Sequence, residues 1–528
     1  METLIINRDE LLDKAKELRK KDKFDFLMDV CGVDHLDRKE GRFDVVYHLG
    51  SSTTDKRLRI KCPLHEKDAS VPSVTSVWKS ADWFERECFD MFGVNFTGHP
   101  ALKRLLMYEG FVGHPLRKDY PIGKRQEMSV PIDLRDGEKN DDDFFWVNFG
   151  PSHPATHGTF RLMLKLSGEK IVDAIPEVGY LHRCFEKEAE DHTYSQVIPY
   201  TDRLNYCSPL MNNVGYARAV EELLGIDIPE RAKYIRVLVS EVSRIMDHLV
   251  AIGTNVVDMG GLTNYWYTFN VREWFYDWIE ELCGARLTTN YTRIGGVARD
   301  LPVNTKKYIP TVLKKLDRAV MDVTGLLVKN RIFLDRTRGI GAISAEDAVN
   351  WGFTGPCLRA AGVPYDVRKA FPYYHYDEFD WDVPIGENGD TYDRIMVRFE
   401  EVRQSKRIIE GVLKKMPDGP IIIDKHDVAL PPKAETYGNI EGLMDHFKLI
   451  MHGMDVPAGE VYSFTEGANG ELGFYIVSKG GPKPYRVKVR PPCFAIYQAY
   501  PELIKGHMIA DAVAILGGLN VIAGELDR

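Results

Sequence analysis

The stretch Lys124 to Asp143, KRQEMSVPIDLRDGEKNDDD, constrains the fold more than any other part of the chain. It is crowded with charge and poor in large apolar residues, so it cannot bury enough surface to offset the entropy of ordering itself. Such a run reads as a linker or surface strap. It divides the sequence into a short unit, 1–125, and a long one, 146–528, with 126–145 between them. The chain has 528 residues, of which 44% are hydrophobic and 28% charged, enough apolar material for a core on each side.

Before the strap the pattern is α+β. METLIINRDELLDKAKELRKKDKF reads as an acid–base helical pattern, and it has no apolar run of signal-peptide length. RFDVVYHL and KRLRIKC alternate as strands, the second with Leu58, Ile60 and Cys62 on one face. SADWFERECFDMFG predicts a helix with Ser80 as N-cap, Gly93 just past its end, and Phe84, Cys88, Met91 and Phe92 on one face.

After the strap the text restarts at Trp146. TFRLMLKLSG alternates Phe160, Leu162, Leu164 and Leu166 with Arg161 and Lys165, a half-buried strand. Two long helices follow. One opens after Pro229 with Ile235, Leu238, Val239, Val242, Ile245, Met246 and Leu249 on a broad stripe; the other runs through TYDRIMVRFEEVRQSKRIIEGVLKKM. GFYIVSKGG and YRVKVR return to strand text before a last apolar segment. No internal repeat or low-complexity tract stands out. The expected class is therefore α+β, with a small N-terminal domain and a large, mainly helical one carrying strands near both its ends.

Several function classes are disfavoured. A net charge of −9 gives no global positive field for nucleic acid or anionic lipid. The longest apolar run, MIADAVAILGGLNVIAG, is broken by Asp511 and Asn520 and falls short of the roughly 20 residues a membrane span needs. A cytosolic, soluble chain is expected. The eight cysteines form no CxxC pair, so neither a metal nor a cluster held by this chain alone is expected. RGIGAIS is an incomplete glycine pattern outside a strand–helix context and predicts no nucleotide site.

NFGPSHPATHG carries His153 and His157, four apart. Pro154 stands between them and cannot continue a helix, so the pair lies in a tight loop rather than on one helical face. Such histidines either bond to backbone or project an imidazole into a cavity as a donor to a ligand oxygen. Gly158 would let the backbone approach something flat.

From these residues onward the sequence resembles a known family. GPSHPATHG, LHRCFEK, TYSQVIPYTDRLNY, RIGGVARDLP, DVPIGENGDTYDR, RQSKRIIE and KGHMIADAVAILG are similar to the 49-kDa type (the D type in bacteria) of subunit in respiratory NADH:quinone oxidoreductase, complex I. DWFERECFDMFGVNFTGHPALKRLLMYEGFVGHPLRKDYP resembles the 30-kDa type, the C type, of the same enzyme. The polypeptide thus looks like a fusion of the C and D types. The resemblance implies a 1–125 scaffold domain and a 146–528 domain of nickel–iron-hydrogenase large-subunit type that carries the quinone site. It implies quinone as substrate, with the iron–sulfur clusters, flavin and NADH in partner subunits. Those partners would be a terminal-cluster B-type subunit, a ferredoxin-like I-type subunit and a membrane H-type subunit, on the cytoplasmic side of the bacterial inner membrane.

The site residues come with it. His157 and Tyr206 match the family's pair around the quinone headgroup, and His153 shapes the loop. A carbonyl gaining electrons becomes an oxyanion, and imidazole and phenol, titrating near ~6.5 and ~10, can donate to it and release protons. Asp258 matches the acid that pairs with the histidine; change in that pair on quinone reduction would start the conformational change behind proton pumping. Arg183 matches the arginine lying against the partner's terminal cluster. Two positions depart from the pattern: Cys184 replaces a glycine, and Thr288 stands where many relatives carry a histidine near the cluster, which implies a lower, flatter cluster potential. The alternatives are a hydrogenase-like large subunit, which lacks its CxxC pairs here, and a purely structural scaffold. The N-terminal part shows no acid–base constellation in sequence, and GHPLRKDYP reads as a docking surface or a buried structural turn.

Overall fold

The computed structural model describes residues 1–38, 41–126 and 144–528; nearly all of the expected strap lies outside them. The N-terminal region is a four-stranded sheet with helices. β1 (Glu2–Ile5) runs parallel to β4 (Arg57–Leu64), β4 antiparallel to β3 (Phe43–Gly50), and β3 antiparallel to β2 (Phe26–Asp34). The first residues therefore form a strand, not the start of a helix, and helix begins only with a 3₁₀ turn at Arg8–Glu10 that leads into α1 (Leu11–Lys20). Pairing to the edge of β4 overrides the weak helical pattern of so short a segment.

α2 (Ala81–Phe92) packs across the sheet so closely that a Cβ on Gly32 would stand 2.6 Å from the Phe92 ring. Gly93 closes the helix in the left-handed conformation, as expected. Ser80 occupies the N-cap position but does not cap: its hydroxyl donates to the Leu27 carbonyl at 3.2 Å, tying helix to sheet. Nor is α2 amphipathic in the simple sense, because Glu85, Glu87 and Asp90 are buried along with its apolar face.

The larger region carries a sheet near each end. β5 (Phe145–Phe149), β6 (Arg161–Ser167) and β7 (Lys170–Glu177) form an antiparallel meander, as do β8 (Gly459–Glu466), β9 (Glu471–Ser478) and β10 (Arg486–Arg490). Between them lie α3 (Pro209–Leu224), α4 (Glu230–Asp258), α5 (Leu262–Cys283), α6 (Thr305–Leu327) and α7 (Thr391–Lys415), and after them α8 (Ile509–Leu519) and α9 (Ala523–Asp527). Pro229 stands before the first turn of α4. α4 is the central helix and packs against α3, α5, α7 and α8. Its polar residues are buried too. Glu241 accepts from Tyr376 at 2.8 Å and pairs with Arg244 and Arg368, while His248 meets Glu401 at 2.8 Å. No helix among the described residues is long and apolar enough to cross a membrane.

The two regions share one core. Trp83 of α2 packs edge-on against Phe494 with ring centroids 5.4 Å apart. A seam of buried charges runs beside it. Lys488 of β10 lies 2.7 and 2.8 Å from the two carboxylate oxygens of Glu87 on α2; Arg59 and Lys61 of β4 reach Glu460 at 2.9 and 2.6 Å; the Arg486 guanidinium donates to the Gly32 carbonyl at 3.1 Å. GHPLRKDYP is a structural turn in this seam: Leu116 is buried, and Lys118 pairs with Glu190 at 2.8 Å. The charged residues of the N-terminal region thus serve structure here, since their partners lie hundreds of positions away.

Candidate functional site

The histidine loop is built from the backbone outward. Pro154–Thr156 forms a single 3₁₀ turn between β5 and β6. His153 is its N-cap, with ring Nδ1 accepting from the Ala155 amide at 3.2 Å and the ring leaning on Phe149 at 4.5 Å between centroids. His157 closes the turn at φ +56°, a left-handed conformation that costs an ordinary residue about 1 kcal/mol. That backbone turns its ring toward Asp258, the last residue of α4, and Nε2 lies 2.5 Å from Oδ2. Both side chains are about one-sixth exposed (17% and 16%), so the pair sits at the rim of the fold rather than in its core. A carboxylate on the last turn of a helix meets the negative end of the helix dipole, which makes a cationic partner favourable.

Tyr206 lies in the segment between the Tyr194–Thr201 helix and α3. It is half-buried, and among the described residues its hydroxyl has no hydrogen-bond partner. Burial pushes the phenol well above its ordinary range, with Cys207, Cys493, Asp247 and Glu525 adding to the effect. Asp202, on the same segment, accepts from the Asn290 amide at 3.1 Å and from the Thr289 hydroxyl at 3.3 Å, and burial raises its carboxyl to about 6.

Arg183 is exposed and donates to the Arg203 carbonyl at 3.2 Å; among the described residues it has no carboxylate partner. Cys184 follows at φ +54°, in the left-handed region that favours glycine. Its Sγ lies 3.6 Å from His182 Nε2. Thr288 is exposed beside Thr289, so the Asp202–Arg203 corner gathers the Arg183 loop and the Thr288 loop together.

What sequence reasoning missed is α9. A Cβ on Gly158, next to His157, would stand 2.9 Å from that of Ala523. One on Gly524 would stand 2.3 and 2.4 Å from the carbonyl oxygens of Arg203 and Leu204, in the Tyr206 segment. Asp527 accepts from the amides of Gly179 and Leu181 at 2.9 and 2.7 Å, and its carbonyl lies 2.7 Å from His182 Nδ1, in the Arg183 loop. One short helix thus braces all three loops that carry the candidate residues. The signal was an acidic pair inside AGELDR, at the end of an otherwise apolar segment.

Asp29, Cys31 and His48 are buried together and are of metal-ligating types. Lys488 Nζ already stands 3.8 Å from Asp29, and the Arg59 guanidinium donates to His48 Nε2 at 3.3 Å. These cations occupy the place a metal ion's charge would take, and the trio belongs to the seam between the regions.

Comparison with known families puts these features in context. Residues 258–528 match the family described as respiratory-chain NADH dehydrogenase, 49 Kd subunit, and residues 4–126 match its 30 Kd subunit. The C/D subunit of NADH-quinone oxidoreductase from Bdellovibrio bacteriovorus is 53% identical over 518 residues, covering 97% of this chain and 92% of that one. The protein belongs to the family of fused C/D subunits of NADH-quinone oxidoreductase. The C/D subunit of Methylococcus capsulatus is 41% identical over 526 residues, 95% of this chain and 90% of that protein. The unfused D subunit of Myxococcus xanthus is 54% identical over 385 residues, 72% of this chain and 92% of its own. As a C/D subunit the protein is part of the complex I assembly and of its oxidoreductase activity.

Proposed function

We propose that this subunit forms part of the quinone-reduction site of the enzyme, with His157 and Tyr206 as the donors to the headgroup and Asp258 as the partner of His157. The observation that carries the reading is the 2.5 Å His157–Asp258 contact, made across 101 residues of sequence by a strained loop and a helix terminus. Held on Asp258 through Nε2, the ring is left to donate to a quinone oxygen through Nδ1. Tyr206 offers a phenol with no competing partner among the described residues. A quinone that takes two electrons takes two protons, and these two groups can supply one each. Loss of the Nδ1 proton changes the charge of the His157–Asp258 pair, and that change is the event that would be passed on toward proton pumping.

Arg183, exposed and without a carboxylate partner among the described residues, suits the approach to the terminal iron–sulfur cluster of the B-type partner, where a guanidinium would favour the electron-rich state. With Thr288 in place of a titrating residue beside it, the midpoint of that cluster should vary little with pH. A redox titration of the assembled enzyme showing strong pH dependence would refute this. His153 shapes the loop, and the polypeptide itself carries no electron carrier; flavin, NADH and clusters belong to partners. Residues 1–125 act as scaffold, 146–528 as the quinone-site domain of nickel–iron-hydrogenase large-subunit type. The I-type and membrane H-type subunits are the other neighbours, on the cytoplasmic face of the bacterial inner membrane. The helix Ile440–Met451 leaves Ile440, Leu443, Phe447 and Met451 exposed, a face suited to a protein that works among other subunits.

The test is the rate of quinone reduction by assembled enzyme carrying His157→Ala or Tyr206→Phe. We expect each to fall by about 10²-fold, the usual scale for a lost proton donor. Transfer from NADH to an artificial acceptor that bypasses the site should be retained. Near-normal quinone turnover in either variant removes that residue from the site.

A further inference from the structure

The turn that carries Tyr206 is tied to a carboxyl that the reading above does not use. The Asn205 side chain folds back over this turn, with Oδ1 accepting from the Cys207 amide at 3.0 Å, so the contact closes around Tyr206. It also fixes which way the Asn205 amide faces, because only its oxygen can accept from an N–H. Its Nδ2 donates instead to Oδ2 of Asp247, on α4, at 3.2 Å. Asn520, just past α8, donates to Asp247 Oδ1 at 3.0 Å and to Asn469 Oδ1 at 2.7 Å. Asp247, Asn205 and Asn520 are all buried. Two donors converge on one side chain here, and a carboxyl offers each of them an oxygen. Asparagine, of the same size, would set its own NH2 against one of them.

The place of Asp247 on α4 links this tie to the other donor. α4 runs unbroken from Glu230 to Asp258, and Asp258 meets His157. Asp247 lies roughly three turns earlier, so the two positions share nearly the same face of the helix, about 16 Å apart along its axis. The turn has other supports: Asn212 of α3 donates to the Asn205 carbonyl at 3.0 Å, and Gly524 of α9 is pressed on the Arg203 and Leu204 carbonyls. Of these supports, only Asp247 belongs to the helix that also holds His157. We propose that Asp247 is a positioning residue of the quinone-reducing site: acting through Asn205, it fixes the Tyr206 turn to α4 and so sets the spacing between the phenol and the His157 imidazole. The proposal rests on the quinone-site reading and names the element that keeps its two donors in register. Asp247 exchanges no proton with the substrate.

Two donors that serve one headgroup must keep their spacing, since a misplacement of about 1 Å costs on the order of 10²-fold in rate. The hydrogen-bond pattern shows which change would break the tie alone. In Asn205→Asp one oxygen still accepts from the Cys207 amide, which keeps the turn, while the other meets an Asp247 oxygen in place of a donor. Adding Asp247→Asn restores the bond in the opposite direction. The new amide at 247 donates to the new carboxyl at 205, and its oxygen keeps the donor from Asn520.

The experiment is quinone reduction by assembled enzyme carrying Asn205→Asp, alone, with Asp247→Asn, and with Tyr206→Phe. Transfer from NADH to the bypassing acceptor is the control and should be retained throughout. We expect Asn205→Asp to lose about ten-fold in kcat. Adding Asp247→Asn should bring it back to within about two-fold of wild type. Combined with Tyr206→Phe, Asn205→Asp should cost nothing further, because a positioning residue acts only through the residue it positions; a packing role would add its own loss. Wild-type kcat in Asn205→Asp, no recovery on adding Asp247→Asn, or additive losses with Tyr206→Phe each overturn the proposal. If Asn205→Asp fails to assemble, Asp247→Ser removes the tie without setting two carboxyls together, and wild-type kcat or additive losses there overturn it instead. Tyr206→Phe separates the two ideas: full turnover there sinks the quinone-site reading, whereas a slow Tyr206→Phe with additive losses sinks this one alone.

Discussion

At the scale of single residues, two carboxyls differ in placement, Asp258 at the rim of the fold and Glu85 in its core. Asp258→Asn keeps an acceptor for His157 but removes the negative charge that the ring faces. We expect quinone reduction to fall by roughly ten-fold or more, as measured on assembled enzyme. Glu85, buried on α2, accepts from the Ser73 hydroxyl at 2.6 Å and the Val74 amide at 2.8 Å, and burial raises it to about 7. Between the ordinary carboxyl range and about 7 the unfolded chain releases a proton that the folded one keeps, so stability falls as pH rises through that window. Glu85→Gln removes the penalty while keeping an acceptor. Its gain over wild type should be near zero at about pH 5 and on the order of 3 kcal/mol at about pH 8, read as a difference in unfolding midpoint. Such residues are illegible in sequence: nothing near Glu87 announces that its partner is Lys488.

At the scale of elements, local text was a good guide where local forces decide. The C-terminal end of α2, marked by Gly93, the strands β3 and β4, and the long helices α4 and α7 all follow their patterns, because period and the glycine stop act within a few residues. β1 did not, because its strand character comes from pairing with β4. The site was legible only in part: Pro154 fixed a loop rather than a helical pair of histidines, while the link to Asp258 came from the family resemblance. The bracing role of α9 was invisible, since its contacts reach back more than 300 residues. It is also the element whose displacement should be felt in every loop of the site. Gly524→Ala would force its new methyl against two carbonyl oxygens, and we expect about 1–3 kcal/mol of destabilisation with quinone reduction lost before transfer to a bypassing acceptor. Gly325→Ala in α6 is the control: its Cβ meets nothing within 4 Å, and helix propensity should make it neutral or slightly stabilising.

At the scale of the whole molecule, the N-terminal region is held to the larger one by charge as much as by apolar packing. Lys488 serves Glu87 at 2.7 Å and stands 3.8 Å from Asp29, both buried. Lys488→Met leaves Asp29 without that cation and Glu87 with Arg528 alone, and we expect a loss of about 3 kcal/mol, seen as a lower unfolding midpoint. Breaking one partner of a buried pair costs far more than the pair's net worth, so Glu87→Gln combined with Lys488→Met should recover part of the loss. The seam also bears on the order of events during synthesis. Unpaired ions hydrate readily, so the early strands can wait beside the ribosome without exposing a sticky face. They lock only once β10 has emerged, with Lys488 following Glu87 by 401 residues.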